Sequence, residues 1–339
     1  MSTFQSLLSM GGGVLLLLAG AEGLVRGASA LALRLGITPL VVGLTVVAIG
    51  TSSPELVVSL QAALAGQGGV AIGSVVGSNV ANLALIVGLS ASISPMFVDR
   101  NLVQRDMPVM LVSMVLLVVF LLDGELSRIE GAVLFAGAVG YTFASIRSSR
   151  KETRAEQRQA ADALAQALVE ADPEAVANAE AVVEAVSETD VRAPVWRNLL
   201  FVIGGVALLV YGAELLLSGA VALATDLGVS EAVIGLTLVA LGTSLPELAT
   251  TVVAALRGQG EIALGNALGS NIFNVFGVLG PTALVHPIVS ADIGPDVLGI
   301  MIGVALLTLV FLTTGGKTRR WEGAVLIGTY VAYLWWIVQ

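Results

Sequence analysis

The chain has 339 residues, of which 56% are hydrophobic and only 12% charged, with a mean hydropathy of +0.93 and a formal net charge of −9. Soluble globular chains carry about 25% charged residues, so this one cannot cover a water-facing surface, which excludes a soluble enzyme or a nucleic-acid binder. There is no cysteine, which excludes a disulfide scaffold or a thiolate metal site.

Apolar stretches run roughly over residues 4–34, 36–65, 69–93, 106–122 and 129–146. Most are long enough to cross a hydrocarbon core about 30 Å thick. The first lacks a basic leader and continues into a long helical pattern, so it reads as a retained span rather than a signal peptide. Residues 147–196 are polar and hold ten of the 25 acids, from Glu152 to Asp190. Glu180, Glu184 and Glu188 recur there at helical spacing with Ala and Val between them, the pattern of a solvated, partly helical linker. Acids on one helix face do not make an EF-hand-type loop. Five further apolar stretches follow, roughly 197–225, 229–256, 261–286, 293–314 and 321–338.

The two apolar halves are one sequence written twice. VVGLTVVAIGTSSPEL from Val41 returns as VIGLTLVALGTSLPEL from Val233, and IGSVVGSNVANL from Ile72 returns as LGNALGSNIFNV from Leu264. The offset is 192 for Thr51 and Thr243, for Glu55 and Glu247, and for Asn82 and Asn274. It also relates Glu22 to Glu214 and Glu130 to Glu322. The expected fold is an all-α polytopic membrane protein of ten transmembrane helices. Residues 1–146 form the first five-helix repeat, 147–196 a cytoplasmic linker loop, and 197–339 the second repeat. An odd number of spans per repeat inverts the second in the membrane, the plan of many secondary transporters. With both termini outside, alternation puts 15 of the 16 basic residues inside and leaves Arg128 alone outside, satisfying the positive-inside rule.

The polar residues inside the spans carry the chemistry. Spans two and seven are interrupted by Gly-Thr-Ser-x-Pro-Glu, Gly50–Glu55 and Gly242–Glu247. Pro54 and Pro246 each remove one helical hydrogen bond and crowd the preceding turn. This predicts broken helices with loose carbonyls near the midplane, tolerated only around a cavity or inside protein. Thr51 with Glu55, and Thr243 with Glu247, are four apart and share a face. Spans three and eight carry Gly77-Ser78-Asn79 and Gly269-Ser270-Asn271, read as matching breaks. Ser78 with Asn82, and Ser270 with Asn274, are again four apart.

A carboxylate at mid-bilayer costs about 2.5 to 3.5 kcal/mol on insertion scales. Two in symmetric breaks call for a compensating cation or proton. Oxygen-only donors, with no Cys and no nearby His, suit hard cations such as Ca²⁺ and Na⁺ rather than zinc or copper. Elsewhere, Glu22 and Glu214 either line an access path or make packing or interfacial contacts. Glu130 and Glu322 mark helix starts, His286 lies at a membrane edge, and Gly73/Gly77 and Gly265/Gly269 have the small-xxx-small spacing of close helix packing.

The duplicated blocks GTSSPEL…GSNVAN and GTSLPELAT…GSNIFN resemble the α-repeats of the calcium/cation antiporter superfamily, specifically prokaryotic sodium/calcium exchangers. The resemblance covers nearly the whole chain outside the linker. It implies cations held among spans two, three, seven and eight, with Glu55 and Glu247 as central Ca²⁺ ligands shared with Na⁺. Thr51, Ser52, Thr243, Ser244, Ser78 and Ser270 would complete the Na⁺ sites with the carbonyls of Ala48 and Ala240. Asn82 matches the family pattern, whereas Asn274 stands where several members have aspartate, leaving a formal site charge of −2, enough for one Ca²⁺ or two Na⁺. It further implies that spans one and six slide against the core, with Gly20, Gly27, Gly212 and Gly219 compatible with sliding contacts.

The expected function is antiport of Ca²⁺ against Na⁺ by alternating access in a prokaryotic inner membrane. The alternatives are Ca²⁺/H⁺ antiport through protonation of the two glutamates and, more remotely, a passive channel. The partners are the ions and the lipid bilayer, with no resident cofactor, no nucleic acid and no obligate protein partner.

Overall fold

The structure, a computed structural model, describes residues 3–170, 194–227, 240–289 and 293–338. The acidic part of the linker with Glu180, Glu184 and Glu188, and the first part of the 229–256 stretch, lie outside the described residues. The helices in chain order are α1 (Thr3–Leu35), α2 (Pro39–Thr51), α3 (Ser53–Leu64), α4 (Gly68–Ile93), α5 (Leu102–Asp123), α6 (Arg128–Glu170) and α7 (Val195–Asp226). They continue as α8 (Ala240–Thr243), α9 (Leu245–Leu256), α10 (Gly260–Val285), α11 (Pro295–Thr313) and α12 (Arg320–Val338). Among the described residues seven helices are long and apolar enough to cross a membrane, or eight if the bent pair α2–α3 counts as one span. The chain is a multi-pass helical membrane protein.

Burial sorts the helices into a centre and a periphery. In α4 and α10, 72% and 89% of the apolar window is buried, against about a third or less in α1, α5, α7 and α11. Small residues allow this central packing. A side chain at Gly265 or Gly269 would run into the backbone of Leu40 or Leu44, so α10 lies directly on α2. At the periphery, α1 and α7 pack along most of their lengths. The pair crosses closely enough that a Cβ on Gly20 would come within 2.8 Å of Gly205 O.

The interruption predicted in span two is present. α2 and α3 meet at Ser52 with a 45° bend, and Pro54 sits in the first turn of α3. α8 and α9 meet likewise at Ser244, with Pro246 in the first turn of α9. The breaks expected at Gly77–Asn79 and Gly269–Asn271 are not there. α4 and α10 run straight through both, and each instead widens into a π turn just beyond, at Ala81–Ile86 and Asn274–Leu279. An interior Ser or Asn need not end a helix when its side chain folds back onto it. Asn271 does so, its Nδ2 donating to Ala267 O at 2.6 Å. The helix-weakening effect of glycine is overridden where burial holds both neighbours.

Beyond the fifth apolar stretch, 129–146, α6 continues unbroken to Glu170, so the described part of the linker is helical. Its Arg, Glu, Gln and Ala favour helix without needing an apolar partner. The extension is tied to the bundle. Ser149 Oγ accepts from Thr38 N at 2.7 Å at the start of α2, and Glu152 faces Arg105 at 3.6 Å.

Short pairings join distant loops. β1 (Glu125–Leu126) lies antiparallel to β2 (Ile288–Val289), with Glu125 opposite Val289. An isolated bridge pairs Phe97 with Lys317. As expected, Glu130 and Glu322 open α6 and α12. The first accepts from Ser127 N at 2.8 Å, and the second from Arg319 N at 2.7 Å.

Candidate functional site

Each helix break delivers its glutamate to the first turn of the helix that follows it: Glu55 in α3 and Glu247 in α9. The free N–H groups of that turn favour a negative charge there. The matching C-terminal ends of α2 and α8 present carbonyls of opposite polarity. Both carboxylates are completely shielded from solvent. Ser52 Oγ donates to Glu247 Oε1 at 3.0 Å. Among the described residues no such close donor is found for Glu247 Oε2 or for either oxygen of Glu55.

Hydroxyls and amides from all four expected segments surround this pair. Ser78 and Thr243 lie beside Glu55, and Thr51 and Ser270 beside Glu247. Ser244 Oγ donates to Ser78 Oγ at 3.1 Å, and Thr51 Oγ1 lies 3.4 Å from Ser270 Oγ. Thr51, Ser52, Ser78, Ser244 and Ser270 are buried, and Thr243 is half-buried. The two faces expected to meet do meet, each half reaching across to the other.

The backbone carbonyls differ between halves. Ala48 O accepts from Ser52 N at 2.9 Å and from Thr51 Oγ1 at 3.3 Å, so the loose carbonyl expected there is hydrogen-bonded. In the second half Ser244 N turns instead to Leu241 O at 3.1 Å, one residue past Ala240.

The asparagines also differ. Asn274 Nδ2 donates to Asn79 Oδ1 at 3.1 Å and its Oδ1 is unpartnered. Asn82 is fully buried with neither end of its amide bonded. A buried amide without partners costs about 1 to 3 kcal/mol.

The buried polar cluster extends one helical turn beyond the residues expected from the sequence. Asn266, four residues before Ser270, is buried and accepts from Thr51 Oγ1 at 3.1 Å while donating to Thr251 Oγ1 at 2.9 Å. The counterparts of Asn266 and Thr251 192 residues earlier are Ser74 and Ser59, whose hydroxyls lie 3.2 Å apart. The same i, i+4 spacing that links Thr51 to Glu55 and Ser78 to Asn82 reaches Ser59 and Ser74 when extended by one turn.

Asp106 was missed for a different reason. It is buried at the start of α5 beside Arg105 at 3.4 Å and accepts from Tyr141 OH at 3.1 Å, but Leu298 stands 192 residues on, so the repeat does not flag it. Glu22 lies away from the centre, paired with Arg26 and Arg257. His286 is exposed at the end of α10.

One hydroxyl can be singled out by this geometry. Ser52→Ala removes the hydroxyl that donates to the Glu247 carboxylate at 3.0 Å, whereas Ser244→Ala removes a contact between two hydroxyls. A hydrogen bond to a charged group contributes about 1.5 to 3 kcal/mol. Calorimetric Ca²⁺ titration is expected to show affinity falling by about tenfold or more in Ser52→Ala and clearly less in Ser244→Ala. Equal losses would contradict the asymmetry.

Known proteins resemble the chain over nearly its full length. The sodium/calcium exchanger protein family model matches residues 5–147 and again 197–339. The sodium/calcium exchanger MaX1 of Methanosarcina acetivorans is 37% identical over 95% of both chains. The inner membrane protein YrbG of Escherichia coli is 34% identical over 95% of this chain and 93% of its own. A solved structure of the sodium-calcium exchanger NCX_Mj, soaked without Na⁺ or Ca²⁺, superposes with a TM-score of 0.79 at 30% identity, covering 99% of each chain. Two separate matches to one family model fall on the two halves that carry the mirrored carboxylates, and the chain therefore belongs to the sodium/calcium exchanger family.

Proposed function

We propose that this protein exchanges Ca²⁺ for Na⁺ across the cell membrane at a single site between α3, α4, α9 and α10, by alternating access. The observation that carries this reading is the pair of fully buried carboxylates, with no basic residue paired to either among the described residues, set among hydroxyl and amide oxygens. A charge left so bare in a low-dielectric interior demands a counter-ion, and oxygen donors select hard cations. Glu55 and Glu247 would hold Ca²⁺ or share two Na⁺. Thr51, Ser52, Ser78, Thr243, Ser244 and Ser270 would supply neutral ligands, with the Ala48 and Ala240 carbonyls. Asn82, Asn274 and, newly, Asn266 would shape the site. Sodium rather than protons as counter-ion follows from the named exchangers among the relatives.

The loops support a topology of ten spans in two inverted repeats. Paired loops must lie on one side of the membrane. Between β1 and β2 the chain crosses with α6, α7 and α10, so the segment 228–256 must cross an odd number of times to bring them together. The contact of Ser149 with Thr38 makes the same demand of the bent pair α2–α3. The bridge Phe97–Lys317 is the pair Glu125–Val289 displaced by 192 in both partners, as a two-fold relation between the halves requires. With α12 as the last span, both termini lie outside and the linker is cytoplasmic, in keeping with the basic residues.

The moving part is the α1–α7 pair. It seats Val206 against Gly50 and Leu217 against Gly242, one beside each break. The two contacts are eleven residues apart on α7, about 16 Å at 1.5 Å per residue. A slide of the pair along the core would uncover the site from one end while sealing the other. Only a neutralised site would cross cheaply, which couples the two fluxes.

Reconstituted liposomes test this directly. ⁴⁵Ca²⁺ uptake is expected under an outward Na⁺ gradient and absent under an outward H⁺ gradient or none. Uptake driven by H⁺ alone would replace the sodium reading with a proton-coupled one, and gradient-independent uptake would indicate a channel.

A further inference from the structure

Glu22 and Arg257 join the two parts of the protein that must move past one another. We infer that their ion pair is a one-sided latch, which holds the cytoplasmic side closed and biases the exchanger toward facing outward. This rests on the sliding α1–α7 pair and the orientation proposed above.

The bond crosses the boundary between mover and core. Glu22 lies on α1, and Arg257 directly follows α9, whose first turn carries Glu247. Glu22 holds two cations, Arg26 on its own helix at 2.5 Å and Arg257 across the boundary. Only the second can resist a slide, because Arg26 travels with Glu22. The side chains of Glu22 and Arg257 are 32% and 35% exposed, so water screens the bond and lets it open.

Packing assigns the bond to one state. α1 packs along α9 on the cytoplasmic side, whereas among the described residues no comparable contact joins α7 to α3, the equivalent pair on the outer side. The cytoplasmic gap is therefore shut and the outer one open. In a carrier built from inverted repeats, the opposite state is reached when the two halves exchange conformations. α1 would then stand away from α9, as α7 now stands away from α3, and Glu22 would leave Arg257. α7 would close on α3 instead.

Nothing replaces the lost bond. Displaced by 192, Glu22 and Arg257 become Glu214 and Ala65, so the closing of α7 on α3 sets a carboxylate against a methyl group. The ion pair thus stabilises the outward-open state alone, and only such a differential interaction shifts an equilibrium. A pair this exposed changes the ratio of the two states by about threefold, a bias weak enough for the cycle to continue.

The chain has no native cysteine, which allows a clean test on the full protein. Spin labels on Gln67→Cys and Leu227→Cys, both exposed just beyond the outer ends of α3 and α7, read the outer gap by electron–electron double resonance in nanodiscs. Ion-free protein is expected to show two distances with the longer one dominant. Glu22→Gln and Arg257→Gln should each shift their ratio by about threefold toward the shorter. The double variant should shift no further than either single one, as expected of one shared bond. Arg257→Lys should keep most of the bias. Arg26→Gln, which removes the same charge but only the bond within α1, should leave the ratio unchanged. If the distance is single and fixed in every variant, the sliding pair itself fails. If two distances are present but neither Glu22→Gln nor Arg257→Gln changes their ratio, the latch fails and the exchange reading stands. An equal shift in Arg26→Gln would assign the effect to charge on α1 and also overturn the latch.

Discussion

Glu247→Gln and Glu55→Gln are each expected to reduce Na⁺-driven Ca²⁺ uptake by at least about 100-fold, the upper end of what losing even a supporting partner of a metal ligand costs. With two carboxylates in the site, removing either leaves one negative charge against a divalent cation. The stability readout separates this from misfolding. Wild-type protein in Ca²⁺ at 100 times its Kd gains about 2.7 kcal/mol from ligand linkage, and either variant should lose that gain. The ion-free variants should be no less stable than ion-free wild type. An amide fills nearly the same volume, and an unpaired buried charge is costlier than a neutral group. The effect should be symmetric in transport, since both carboxylates would face the same ion. It should be asymmetric in the ion-free protein, because Ser52 donates to Glu247 at 3.0 Å while no bond as close is found to Glu55 among the described residues. Retained uptake in Glu55→Gln would remove that residue from the site.

Much of this was legible before any coordinates, because the repeat writes the chemistry twice. A glutamate following Ser-x-Pro inside an apolar run is improbable once, and a second one at a constant offset marks both. The prolines located the breaks for a covalent reason, their missing N–H, and both breaks are present, at Ser52 and Ser244. Glycine, serine and asparagine gave a false break in spans three and eight, because their effect on a helix depends on surroundings. In α4 and α10, 72% and 89% of the apolar window is buried, and a π turn follows a few residues later. π turns occur often at functional sites, and these begin beside Asn82 and at Asn274. Asp106 was illegible because it broke the symmetry the reading relied on. Hydropathy reports where an apolar stretch stops and not where its helix stops, so the fifth stretch ends near 146 while α6 runs on to Glu170.

Asn274→Asp should have the opposite signature to the glutamate variants: tighter Ca²⁺ binding, lower ion-free stability and slower exchange. The amide at 274 donates to Asn79 Oδ1, and Asn79 Nδ2 reaches only Met301 Sδ at 3.7 Å. An aspartate there meets an acceptor, but Asn79 can turn its amide over, giving up only a weak contact to sulfur. The new carboxylate is thus accommodated sterically and its cost is electrostatic. Ion-free protein then buries a third carboxylate and should lose about 3 kcal/mol, the insertion cost of such a group at mid-membrane. Unit charges about 4 Å apart attract by about 4 kcal/mol at an effective dielectric near 20, of which desolvation takes back part. A tenfold or greater gain in Ca²⁺ affinity is therefore expected. Exchange should slow because a site of formal charge −3 holding two Na⁺ keeps a net charge of −1, and this charge must pass the apolar barrier with every return. Calorimetry, thermal unfolding with and without Ca²⁺, and ⁴⁵Ca²⁺ flux on the same preparation would read all three. Unchanged affinity and stability would mean that residue 274 lies outside the field of the bound ion, and that the neutral asparagine there has no part in setting the charge of the site.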